Sequence, residues 1–191
     1  MKHIPAALAG AVALSMFTPV FAENPQDPNA AEAKGIVKEF FTSLKGELQA
    51  AVSEGGPVNA IGVCKDRAPA IARKLSEESS WDVGRTSLKT RNPELNSPDS
   101  WERQVLLEFE ERKAAGEDVK PMAHAAVVET DTGKHYRFMK AIPTGEICLA
   151  CHGESISPDV ATAIREAYPQ DQATGFSLGD IRGAFTLSKP L

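Results

Sequence analysis

Apolar residues at helical spacing dominate the first part of the chain. Between residues 29 and 53 they fall on one stripe, made by Val37, Phe41, Leu44, Leu48 and Val52. This spacing predicts a helix that ends at Gly55-Gly56-Pro57. A second helix is predicted over 58–75, with an apolar face made by Ile61, Cys64, Ala68, Ile71 and Leu75. Pro69 has no N–H for the Lys65 carbonyl, so we expect a kink or break one turn after Cys64.

After residue 80 the apolar residues no longer keep the helical spacing of the first part of the chain. A short strand and a polar loop are predicted within 81–99, and Ser97-Pro98-Asp99 is expected to open a helix that reaches residue 115 and ends at Gly116. Three of its residues are predicted to face inward: Trp101, Val105 and Phe109.

Alternating residues over 122–129 and 135–142 predict a hairpin that turns at Thr130-Asp131-Thr132-Gly133. A helix from Ser157-Pro158-Asp159 to Tyr168 and a last strand over 181–187 complete the pattern. Helices that frame a small antiparallel sheet predict an α+β domain.

The first 22 residues have the pattern of a secretory signal peptide. Lys2 precedes a short apolar run, which ends in Val20-Phe21-Ala22. We expect cleavage after Ala22, export to the periplasm and one mature domain over 23–191. The apolar run is interrupted by Pro19 and is too short to span a bilayer, so no membrane anchor is expected after cleavage. A retained N-terminal anchor is the alternative.

The formal net charge of the chain is −5, and removal of Lys2 with the leader makes it one unit more negative. An acidic protein is poorly suited to binding nucleic acid or an anionic membrane, because both are polyanions. The charge is compatible with docking on a basic protein.

Two of the three cysteines stand directly before a histidine. Cys148, Cys151 and His152 form the sequence C-x-x-C-H, whose spacing suits covalent attachment of haem c. Each thiol would add to a haem vinyl group, and His152 would be the proximal ligand of the iron. One such motif predicts one haem, and therefore a monohaem c-type cytochrome.

Three alternative chemistries for the motif fit less well. A zinc site needs about four ligands, and only one further cysteine exists. A thioredoxin-type redox pair would leave His152 without a role and belongs in a βαβ unit, which the predicted element order lacks. A structural disulfide is strained at this spacing.

The residues leave the sixth ligand of the iron open. Five side chains of the mature chain are candidates: Cys64, Met122, Met139, His124 and His135. The methionines lie in strand-like stretches where packing is the usual role, and His135 adjoins the hairpin turn. Cys64 is the odd cysteine, and an unpaired thiol in an oxidising compartment needs burial or a bound metal.

Four segments carry a resemblance to a known family: G-V-C-K-D-R-A-P-A-I-A (62–72), S-L-K-T-R-N-P (87–93), C-L-A-C-H-G (148–153) and Y-P-Q-D-Q-A-T-G-F (168–176). In this order they resemble a family of haem c domains with a PAS-like fold, long catalogued as a domain of unknown function. The resemblance covers about residues 37–187. It implies that Cys64 is the distal iron ligand opposite His152, and that the sheet is PAS-like.

The resemblance also implies two functions. A His152/Cys64 pair implies a low reduction potential, and thus a carrier that exchanges electrons with a redox partner protein. The alternative is a periplasmic haem-based sensor of redox state or of a gas such as nitric oxide or carbon monoxide. Some relatives are input domains of receptors, whereas this sequence stops at Leu191 without an output domain.

Haem propionates need cationic partners, and four side chains are candidates: Arg85, Lys89, Arg91 and Lys140. No set of acid, base and nucleophile converges in the sequence around the motif. We therefore do not expect an enzyme.

Overall fold

The computed structural model describes residues 27–191. The predicted signal peptide and its cleavage site lie outside the described residues. The elements, in chain order, are α1 (Pro28–Gly62), a π-helical turn (Val63–Arg67), α2 (Ala68–Glu77), β1 (Asp82–Thr86), α3 (Pro93–Asn96), α4 (Ser100–Ala114), β2 (Ala123–Thr130), β3 (Gly133–Pro143), α5 (Glu146–His152), α6 (Pro158–Ala167) and β4 (Ile181–Pro190).

The first two helices are interrupted at both expected places. Gly55 and Gly56 leave helical dihedral angles, which confirms the predicted break, although the helix resumes at once. Ahead of Pro69 the chain forms the π-helical turn, in which the Ala68 N–H donates to the Val63 carbonyl five residues earlier. The disturbance expected from Pro69 is therefore a π-helical turn that contains Cys64.

The four strands form one antiparallel sheet in the order β1-β4-β3-β2. Thr130 pairs with Gly133, which confirms the predicted hairpin. The β3–β4 register shifts near its end, since Ile142 pairs with Gly183 and Pro143 with Ile181. Arg182 is therefore the extra residue of a β-bulge on β4. Gly183 has a φ of 155°, and a Cβ there would collide with the Thr86 carbonyl oxygen.

Helices cover both faces of this sheet, which confirms the predicted α+β class. Against α1 and α2 lie Trp81, Val83, Tyr136, Phe138, Phe185 and Leu187. Against α4 lie Met122, Met139, Ala141, Ile181 and Ala184. Within 27–191, no helix has both the length and the apolar character needed to cross a membrane.

Two details of the sequence prediction were wrong. The buried stripe of α1 contains Phe40, at 1% exposure, whereas Phe41 is 48% exposed. The N-cap of α4 is Asp99 and not Ser97: Asp99 accepts from the Glu102 N–H at 2.8 Å, and the Glu102 carboxylate accepts from the Asp99 N–H at 3.0 Å.

The two adjacent phenylalanines test the corrected stripe. Because Phe40 packs on the ring of Phe185 at 5.1 Å, Phe40→Ala should lower the free energy of unfolding by about 3–5 kcal/mol. Phe41→Ala is the matched control and should cost less than about 1 kcal/mol. Urea unfolding measures both, and a larger loss for Phe41→Ala would contradict this orientation of α1.

Candidate cofactor site

Helix α5 carries the C-x-x-C-H motif and begins shortly after the C-terminal end of β3. Cys148 and Cys151 are half-buried free thiols three residues apart, so both lie on one side of the helix. The helix ends at Gly153, where a Cβ would lie 2.6 Å from the Leu149 carbonyl oxygen. A glycine directly after His152 is therefore required by the turn that ends α5.

The 168–176 segment packs against the end of this helix. The Phe176 N–H donates to the His152 carbonyl at 2.9 Å, and the Gly175 N–H donates to the Gly153 carbonyl at 3.0 Å. The Phe176 ring meets the imidazole of His152 edge-on, at 6.2 Å and 87°. Two of the four family-like segments are thus in direct contact.

Arg91 joins a third segment to the same place. The guanidinium is buried, donates to the carbonyls of Cys151 at 2.5 Å and Ala173 at 3.0 Å, and pairs with Asp171 at 3.1 Å. Thr90 contributes as well, because its carbonyl accepts from the Gln172 N–H at 2.8 Å. Arg91 therefore links the motif backbone at Cys151 to the 168–176 segment, and these contacts use most of its donors.

The imidazole of His152 is held in one tautomer. Its Nδ1–H donates to the Ala173 carbonyl at 2.7 Å, so Nε2 keeps a free lone pair. Burial first, and then the charges of Arg182 and Arg91, lower the pKa of His152 well below its ordinary value. A neutral ring whose other nitrogen donates to a backbone carbonyl is the usual form of a metal-ligating histidine.

The fourth segment reaches this region through the π-helical turn. Cys64 is half-buried there, and Ile61, one turn earlier, packs in one cluster with Cys151 and Tyr168. Tyr168 is buried in this cluster, and burial is the main cause that raises its pKa to about 12. The segment that carries Cys64 thus packs against the motif helix.

The other candidates for the sixth ligand make contacts elsewhere. Met122 and Met139 are fully buried under α4. His124 lies 3.1 Å from the Glu108 carboxylate, and His135 hydrogen bonds to Thr132 and Ser188 beside the hairpin. The contacts of these four side chains do not include the motif.

Among the predicted cations, Arg85 and Lys89 have side chains near the site. The Arg85 guanidinium lies 5.6 Å from the centre of the Phe40 ring, and Lys89 Nζ lies 5.1 Å from that of Phe176. Burial lowers the pKa of Arg85, and no carboxylate within 27–191 pairs with it. Lys140 instead donates to the carbonyls of Lys120 and Met122, just before β2. That these cations bind the haem propionates stays a prediction.

Arg182 is a site residue that the sequence did not indicate. Its Nε lies 3.1 Å from Nδ1 and 3.4 Å from Nε2 of His152. The β-bulge that turns this side chain toward α5 depends on the pairing of β3 with β4. The only local signal is Gly183, directly after Arg182.

The residues at this site fit a covalently attached haem. Cys148 and Cys151 offer two thiols on one side of a helix, and His152 presents a neutral nitrogen with a fixed tautomer. Cys64 is a free thiol in the π-helical turn, and Arg85 is a half-buried cation without a carboxylate partner in the described part of the chain.

The family model named Tll0287-like matches residues 17–190. The chain belongs to this family. Among solved structures, the crystal structure of the cyanobacterial heme-protein Tll0287 has 21% sequence identity and a TM-score of 0.65, over 88% of this chain and 97% of that chain. This likeness confirms the α+β fold of the Tll0287-like chain. No curated protein matches it in sequence.

Removal of the Arg91 guanidinium tests whether it holds the motif. Arg91→Gln leaves Asp171 buried without its cation and should lower the free energy of unfolding by about 3–5 kcal/mol. Arg67→Gln is the matched control, because it breaks the Arg67–Glu47 pair, which is largely exposed, and should change stability far less. Equal, small losses in chemical denaturation would contradict a structural role for Arg91.

Proposed function

We propose that this chain is an exported monohaem c-type cytochrome that transfers electrons at low potential. One observation carries the proposal: segments far apart in sequence meet at α5. Arg91, Ala173 and Phe176 contact the motif directly, and the segment that carries Cys64 packs against Cys151 through Ile61. Membership of the Tll0287-like family supports it, since a structural relative is a cyanobacterial heme-protein.

Four residues would hold the haem. Cys148 and Cys151 would form the two thioether bonds, while His152 Nε2 and the Cys64 sulfur would bind the iron. When bound, haem supplies a one-electron iron couple. A thiolate from Cys64 donates negative charge to the iron and favours its ferric form, which lowers the reduction potential.

The surrounding cations would bind the propionates. Arg85 has no carboxylate partner among residues 27–191, and the exposed Lys89 places its ammonium group over the Phe176 ring. Both side chains therefore have N–H donors that would be available to the propionates. Arg91 would act differently, because its contacts with Asp171, Cys151 and Ala173 position the motif.

The expected compartment is the periplasm, and the expected partner is a protein. The predicted leader would direct the chain to the periplasm, where haem c is attached in bacteria, and no anchor would remain after cleavage. A redox partner protein would exchange electrons with the haem. The acidic balance of the chain favours a partner with a basic docking surface.

Covalent attachment is the most direct consequence. The exported protein should keep its visible haem spectrum after extraction with acidified organic solvent, because thioether bonds survive that treatment. The double variant Cys148→Ser/Cys151→Ser should release any haem that it binds. Haem that extracts freely from the unaltered chain would refute the attachment.

The distal ligand has its own test. Cys64→Ala should shift the ferric electron paramagnetic resonance spectrum toward high spin or toward a different sixth ligand, since the sulfur is removed from the iron. Met122→Leu is the control, because Met122 is buried in the core under α4 and should leave the spectrum as it was. An unchanged spectrum in Cys64→Ala would remove Cys64 from the site.

A second function, sensing of redox state or of a gas, is favoured by the position of Cys64. This residue lies in a π-helical turn, whose i→i+5 bonding is uncommon and recurs at functional sites. Release of the sulfur would open a position on the iron for nitric oxide or carbon monoxide. Nitric oxide binding with loss of the sulfur ligand favours a sensor, whereas rapid electron exchange with both ligands retained favours a carrier.

A further inference from the structure

Arg182 reaches the haem motif because of an irregularity in β4. It is the unpaired residue of the bulge between the Ile142–Gly183 and Pro143–Ile181 pairs. An extra residue in a strand redirects its side chain and increases the local twist. The Arg182 guanidinium is thereby brought to the imidazole of His152.

The two distances place this guanidinium over the face of the ring. Arg182 Nε is 3.1 Å from Nδ1 and 3.4 Å from Nε2, and an atom in the ring plane at such similar distances would overlap ring carbons. Nδ1 already donates its proton to the Ala173 carbonyl, so it cannot also accept from Arg182. The contact is therefore one between a cation and an imidazole face, and it leaves the in-plane lone pair of Nε2 open.

The Arg182 side chain is fixed at its far end as well. Its Nη1 donates to Ser87 Oγ at 3.1 Å and to the Lys89 carbonyl at 3.2 Å, while Ser87 Oγ donates back to the Arg182 carbonyl at 2.8 Å. Within 27–191, no carboxylate lies within ion-pairing distance of Arg182. Burial lowers its pKa to about 10, so it remains a cation at neutral pH.

We propose that Arg182 is a positioning residue for His152, which fixes the plane of the imidazole and holds a positive charge beside the iron ligand. This inference rests on the proposed function, because it requires iron on Nε2. A nearby positive charge favours the less positive, ferrous state of the iron. Arg182 therefore raises the reduction potential that the Cys64 sulfur lowers.

The test compares Arg182→Gln, Arg182→Lys and the control Arg103→Gln, which removes an equal charge from an exposed position on α4. Spectroelectrochemical titration measures the potential of each exported protein, and electron paramagnetic resonance measures the environment of the axial ligands. Arg182→Gln should raise the ferric-to-ferrous ratio at fixed potential about tenfold, which equals a downward shift of about 59 mV. It should also change the ferric resonance, because the ring is freed to rotate.

The variants separate charge from ring positioning. Arg182→Lys keeps the charge without the planar group, so its potential should stay near that of the unaltered chain while its resonance shifts. Arg103→Gln should change neither. A lysine variant whose potential falls as far as that of the glutamine variant would overturn the electrostatic role. A lowered potential with an unaltered resonance in Arg182→Gln would overturn the positioning role and point to a propionate contact.

Intact mass distinguishes this inference from the proposed function. The intact mass of every protein is measured first, to establish that haem is covalently attached. Absence of haem from the unaltered chain would overturn the proposed function. If all variants retain haem and have the same reduction potential and the same ferric resonance as the unaltered chain, the role of Arg182 alone is overturned.

Discussion

The buried guanidinium of Arg91 is the contact on which the arrangement of the site depends. It pairs with Asp171 and donates to the carbonyls of Cys151 and Ala173, which lie 60 and 82 residues away in sequence. The motif helix has only seven residues, and none of its side chains is fully buried. Hydrogen bonds from distant segments therefore contribute to fixing its position, together with the packing of Cys151 against α6.

Two backbone irregularities supply the remaining parts of the site. The π-helical turn ahead of Pro69 carries Cys64, and the β-bulge of β4 carries Arg182. Each departs from the regular element around it, and regular continuation would direct either side chain elsewhere. The same two residues would act on the iron in opposite senses, since a thiolate favours ferric iron and a guanidinium favours ferrous iron.

The sequence predicted most elements and the C-x-x-C-H motif because these rest on local patterns. It failed where a local signal was weak or was misread, and where the outcome depends on partners distant in sequence. In the α1 stripe Phe41 was chosen in place of Phe40, because the small Ala30 and Ala33, which are buried on the same face as Phe40, carry little hydrophobic signal. The cap at Asp99 was available as D-x-x-E with Glu102 and was missed in favour of Ser97-Pro98. The position of Arg182 depends on the register between β3 and β4, which the sequence around Arg182 does not specify.

A single haem between α5 and the π-helical turn would unite the motif, Cys64 and Arg182 in one site. A crystal structure of the exported protein, with anomalous data collected at the iron absorption edge, decides whether it is there. We expect one iron peak between His152 Nε2 and Cys64 Sγ, with porphyrin density continuous with the sulfurs of Cys148 and Cys151. An iron peak away from His152, or an exported protein without iron, would contradict this arrangement.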